Sequence, residues 1–268
     1  MKAFMRIFMP CLSLVLLGVG IFFVHYDIDE AVKNSWSGFI RIVPRYLALL
    51  LLLVLIYQIV YVKYLGATKY DLKFPPVKLI VSVALMTPFY ILTVQYLFLL
   101  FHYVRGGIFE VDPEVESELA PIFFGTLRVV LFGPAVEELV LRVMMISQAQ
   151  TRKGLFFAVV FSSLLFSVLH LSHLFAHLLT GVLYALVLIS TRNIWCSIIC
   201  HALHNLSVSC FGFIQYMNPS LVETDVTTGI WRVDGVVVGV AAVMFLCGCL
   251  HLYKNKTVFA SIIHRKKR

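Results

Sequence analysis

Apolar residues run along this chain in long blocks, with little polar punctuation inside any of them. The blocks fall roughly at 7–24, 43–62, 77–101, 121–148, 155–172, 174–190, 194–213 and 233–252. A helix needs about 20 apolar residues to span ~30 Å of hydrocarbon. A spanning β-strand would instead show ~10-residue segments of alternating character, and none is visible. The pattern predicts an all-α fold, a polytopic transmembrane helix bundle of about eight spans. The division is least defined across 155–190, where two short spans have no charged loop between them and a re-entrant segment is the alternative.

Composition agrees. Of 268 residues, 60% are hydrophobic and 13% charged, against about 25% charged in a soluble domain. The formal net charge of +8 raises the question of nucleic acid, but the placement of the basic residues answers it. Lys2 and Arg6 precede the first block, Lys63, Lys69, Lys73 and Lys78 follow the second, and Arg152 and Lys153 follow the fourth. Arg192 follows the sixth, and the tail ends in Arg265-Lys266-Lys267-Arg268. The loops at 102–120 and 214–232 are acidic or nearly free of basic residues. Lys and Arg collect on the cytoplasmic side of a membrane, so this alternation puts both termini in the cytoplasm. The expected partners are the lipid bilayer and a membrane-associated peptide or protein, with no nucleic acid. One membrane domain covers 1–268, with no internal repeat. The run Ile7–Val24 exceeds a usual signal-peptide core and reads as a retained helix. The six cysteines lie within or beside apolar blocks without a CxxC pair and read as small hydrophobes.

Against this background the stretch Phe132–Arg142 stands out, because it carries Glu137, Glu138 and Arg142. Each such charge costs at least ~2.5–3.5 kcal/mol near a bilayer centre, which makes it a functional candidate by default. Glu138 and Arg142 are four apart and share a helix face, so they read as an internal brace. Glu137 points about 100° away and is left as the carboxylate for general-base work. Gly133-Pro134 predicts a kink or a fresh helix start just before it. His170 lies one turn after Phe166, and His173 and His177 continue that stripe. His201 and Asn205 share a face of the seventh block, where an imidazole and a carboxamide suit developing negative charge.

Simpler readings stand beside these. An intramembrane His often only bonds a neighbouring helix, and the His170/His173/His177 stripe is an alternative metal cluster. There is also a mismatch of depth. His201 is nine residues from Arg192, whereas Glu137 is fifteen from Arg152 and His170 seventeen from Lys153. On straight helices the depths differ by roughly 10 Å, so spacing alone does not bring the three together.

In order and spacing, Glu137-Glu138-x-x-x-Arg142, Phe166-x-x-x-His170 and His201-x-x-x-Asn205 resemble the three motifs of the CPBP/Abi family of intramembrane proteases. That family includes the type II CAAX prenyl endopeptidases. The resemblance covers about 120–215, the expected catalytic core, and Thr191-Arg192-Asn193-Ile194-Trp195 looks like the bacterial branch. It implies an intramembrane endopeptidase acting on a membrane-associated substrate, prenylated or not. By motif, Glu137 would activate water with His170, His201 and Asn205 would stabilise the oxyanion, and Glu138 and Arg142 would support the site. The preferred reading has no cofactor. The alternative is a divalent metal such as zinc, with Glu137, His170 and His201 as candidate ligands; no HExxH is present. A bacterial inner membrane is the expected location, or the ER membrane in a eukaryote. Two other functions fit an intramembrane carboxylate, a proton-coupled transporter and a non-catalytic scaffold of the same family.

Overall fold

A computed structural model of the chain describes residues 15, 18–19, 35–87, 119–149, 151–170 and 174–217. Every regular element among them is helical, and the single extended pairing is an isolated parallel bridge between Asp71 and Asn193. Nearly all of the block at 7–24, the second half of 77–101, the block at 233–252, most of the loops at 102–120 and 214–232, and His173 lie outside the described residues. The count of eight spans and the side of the termini therefore rest on residues outside that set.

The elements are α1 (Trp36–Ile56), α2 (Val77–Thr87), α3 (Leu119–Leu131), α4 (Gly133–Glu137), α5 (Arg152–Leu169), α6 (Leu174–Thr191) and α7 (Ile194–Met217). Helix α1 continues in π-helical form over Tyr57–Tyr64, and α4 does so over Glu138–Met144. On α1, Ile42, Tyr46, Leu49, Leu53, Tyr57 and Tyr61 are buried at three- and four-residue spacing, while Ile40, Leu47, Leu51, Leu55 and Ile59 on the other side are exposed. A helix apolar on all sides has no face for water. The run Trp36–Tyr64, 29 residues holding an 18-residue window of mean hydropathy 2.3, is long and apolar enough to cross a membrane. Helix α5 repeats the design: Ser162, Ser163, Phe166 and Ser167 face inward, and Phe157, Phe161, Leu164 and Val168 face out. Large contiguous apolar surfaces of this kind mark lipid or partner contact.

The expected break before the glutamates is present. Pro134 has no N–H to give, and its ring would collide with the carbonyl four residues back, so α3 stops at Leu131 and α4 starts afresh with proline in its first turn. Phe132, at the break, stacks on Tyr46 of α1 with ring centroids 4.7 Å apart and planes 10° apart. The π-helical turns that follow are buried throughout, from Glu138 to Met144. Such turns concentrate at functional sites.

Residues 155–190, where the sequence left two options, form two helices packed antiparallel, with Ser167 Oγ donating to the Leu174 carbonyl near the turn. Their close approach depends on Gly181. A Cβ there would sit 3.1 Å from Cα and Cβ of Ser163 and 3.3 Å from Nη2 of Arg142. Gly181→Ala is expected to cost about 1–3 kcal/mol through overpacking, read as a lower Tm of the detergent-solubilised protein. An unchanged Tm would mean that α5 yields freely.

The turn between α6 and α7 is covered by protein. Asp71 N–H donates to the Arg192 carbonyl (2.9 Å), and Ile194 N–H donates to the Asp71 carbonyl (3.1 Å). Asn193 Nδ2 donates to the Lys73 carbonyl (2.9 Å) and Trp195 Nε1 to the Leu72 carbonyl (2.8 Å). The same strap, Ala67–Lys73, is tied back by Thr68 N–H to the Ser147 carbonyl (2.7 Å) and by Tyr57, whose hydroxyl donates to the Thr68 carbonyl (3.0 Å). Asn193 and Ile194 are buried as a result. Helix α7 thus begins under the strap, so Arg192 does not mark an open loop from which depth can be counted.

Candidate active site

Glu137 closes α4 and Glu138 opens the π-helical turns, so the two carboxylates leave the helix in different directions. Glu138 and Arg142 are fully buried, whereas Glu137 is 24% exposed. Glu137 Oε2 lies 3.9 Å from Nε2 of His170 on the C-cap of α5 and 3.9 Å from Nε2 of His201 on α7. The sequence motifs from three helices thus meet at one oxygen. That oxygen has no hydrogen-bond partner, and both gaps are too long for direct hydrogen bonds. They suit a water held between carboxylate and imidazoles.

The other ring nitrogens set the protonation pattern. Nδ1 of His170 is 2.8 Å from the Phe166 carbonyl, which can only accept, so Nδ1 carries the hydrogen and neutral His170 offers the Nε2 lone pair towards Glu137. Nδ1 of His201 is 3.2 Å from Glu138 Oε1. An ionised carboxylate also only accepts, so this nitrogen is a donor too. With Nδ1 held by Glu138, the Nε2 edge of His201 faces Glu137. The two histidines are therefore unequal: one backed by a neutral carbonyl, the other by a buried carboxylate.

Glu138 does more than pair along its helix. Arg142 Nε is 3.9 Å away, farther than His201, and Ser197 Oγ on α7 donates to Glu138 Oε2. Arg142 is held by the Ser162 carbonyl at 3.4 Å and by the faces of Phe166 (4.6 Å) and Tyr184 (5.8 Å). His177 is half-buried and stacks on His170 at 4.5 Å, which makes it a neighbour of the site. Asn205 Nδ2 donates to the Val129 carbonyl at 2.7 Å. Val129 lies in the last turn of α3, where carbonyls lose their helical partners. Asn205 thus caps the broken helix with one amide hydrogen and keeps the other.

Sequence reasoning missed Ser197 and Tyr184. Ser197 was reachable, since it lies one turn before His201 on the same face. Tyr184 carried no signal of its own, being one apolar-block aromatic among many.

Glu137, His170 and His201 are chemically suitable zinc ligands. Tetrahedral zinc with bonds of about 2.0–2.1 Å would bring donor atoms to roughly 3.3–3.4 Å of one another, closer than the 3.9 Å separations here. Among the described residues, no group of three or more His, Cys, Asp or Glu side chains is placed to hold a metal ion. The arrangement as it stands does not fit such an ion.

Comparison with known proteins gives one match. Residues 119–207 match the family described as "Type II CAAX prenyl endopeptidase Rce1-like", a membrane-embedded protease family whose substrates are membrane-associated proteins. No curated protein and no solved structure matches the chain. The matched stretch runs from the first residue of α3 past Asn205 and contains every residue of the Glu137 site. Over residues 119–207, the chain is similar to the type II CAAX prenyl endopeptidase family of proteases.

Proposed function

We propose that this chain is an intramembrane endopeptidase in which Glu137 activates water without a metal. The observation that carries this reading is the approach of one unpartnered Glu137 oxygen to both imidazole Nε2 atoms at 3.9 Å. Water bound between Glu137 and His170 gives up a proton to that pair while its oxygen attacks the scissile carbonyl carbon. The carbonyl oxygen becomes an oxyanion and accepts from His201 Nε2–H and from the second amide hydrogen of Asn205. The tetrahedral carbon then expels the amine. The proton taken from water returns to the leaving nitrogen, giving a carboxylic acid and an amine. Arg142 keeps Glu138 charged and in place.

The substrate is a membrane-associated peptide or protein, prenylated or not, and the location is a bacterial inner membrane, with about eight spans and cytoplasmic termini. The charge alternation and the Thr191–Trp195 sequence support these finer points. The test combines elemental analysis of the purified protein with cleavage of a membrane-bound peptide. His170→Ala should lower turnover by about 10²–10⁴-fold, the worth of a positioned base, at unchanged yield, and chelators should leave the parent's rate alone. Stoichiometric zinc lost together with activity would overturn the metal-free reading. Full turnover by His170→Ala would overturn the protease mechanism.

A further inference from the structure

Tyr184 of α6 touches one face of α7 three times. Its backbone carbonyl lies 3.0 Å from Ser197 Oγ, whose single hydrogen it shares with Glu138. Its ring lies against the imidazole of His201, with centroids 4.4 Å apart and planes 18° apart. Its hydroxyl is hydrogen-bonded to Nδ1 of His204. Ser197, His201 and His204 stand at i, i+4 and i+7, so they form one stripe on α7, and Tyr184 runs along it.

The geometry points to Tyr184 and His204 as a positioning pair for His201, a role that rests on the hydrolytic reading of the site. His201 has its Nδ1 fixed by Glu138 and one edge against Phe166 (5.4 Å, 78°). A single hydrogen bond at Nδ1 still permits the ring to swing about it. The flat contact with Tyr184 removes that freedom, and His204 locks Tyr184 by its far end. The stacked phenol thereby holds Nε2 on its line towards Glu137. Tyr184 and His204 need not touch substrate for this. They convert a bonded imidazole into an aimed one, and catalytic rates fall steeply with misplacement of this kind.

The tests use the full chain in proteoliposomes with a membrane-bound peptide substrate. Tyr184→Phe keeps the ring and removes the hydroxyl, and His204→Leu removes the other half of the lock. Each should lower kcat roughly tenfold with KM within about twofold. The double variant should be no slower than either single one, because both break the same bond. His204→Gln, whose amide oxygen can accept from the hydroxyl, should restore most of the rate. A second readout needs no proteolysis. The ¹⁵N resonances of the His201 ring, assigned by loss in His201→Gln, should broaden or shift in Tyr184→Phe and return towards the parent's in His204→Gln. Unchanged His201 resonances would overturn the pair, as would effects of the two variants that multiply. If the parent cleaves nothing while the resonances respond as expected, the positioning role stands and the peptidase reading fails.

Discussion

Glu137→Gln is expected to lower peptide-bond cleavage by about 10²–10⁴-fold while the protein accumulates and melts as before. The substitution keeps the shape of the side chain and removes its capacity to take a proton from water. The usual penalty for touching a partly buried carboxylate is absent here. Glu137 Oε2 has no hydrogen-bond partner, and neither imidazole is close enough to bond it directly. An amide would place an N–H opposite the lone pair of His170, so stability should hold or rise, in the manner of active sites whose function and stability conflict. The measurement is turnover of a membrane-bound reporter beside a melting curve of the same preparation. Residual cleavage near the parent's rate would remove Glu137 from the chemistry.

Glu138→Ala should fail differently. Deleting one partner of a buried pair leaves the other charge uncompensated, at about 3–5 kcal/mol, a large share of the 5–15 kcal/mol that typical domains possess. Arg142, fully buried, would retain a carbonyl at 3.4 Å and two aromatic faces. His201 and Ser197 would lose their acceptor in the same step. Folded yield after size-exclusion chromatography should drop sharply. Adding Arg142→Met should recover yield, since it removes the stranded cation, but not cleavage, since His201 still lacks its acceptor. Accumulation of Glu138→Ala at the parent's level would mean that the carboxylate is dispensable to the bundle.

Much of this site was legible because charge is conspicuous in an apolar chain. Glu137, Glu138 and Arg142 announced themselves by cost, and Gly133-Pro134 announced the break that turns Glu137 towards α5 and α7. The helical class followed from block length. What stayed hidden depends on which apolar face meets which neighbour. On α1 both faces are apolar, so periodicity could not say that Tyr46 and Tyr57 point inward while Leu47 and Leu55 point out. The role of Tyr184 was illegible for the same reason. The π-helical turns at Glu138–Met144 have no sequence code as plain as proline. Nor did any local pattern reveal that the polar strap from Ala67 to Lys73 would seat itself on a turn more than a hundred residues later.

That strap ties the matched stretch to residues outside it. The family signature begins at residue 119, yet the entry into the His201 helix is sealed by backbone groups from Asp71 to Lys73. Backbone groups outside the matched stretch thus fix the start of the helix that carries His201. Exposed side chains on α1, such as Leu47 and Leu51, carry no such duty, whereas the carbonyls of Asp71, Leu72 and Lys73 are each committed to a hydrogen bond. Residues 119–207 alone would lack these hydrogen bonds at the start of the His201 helix.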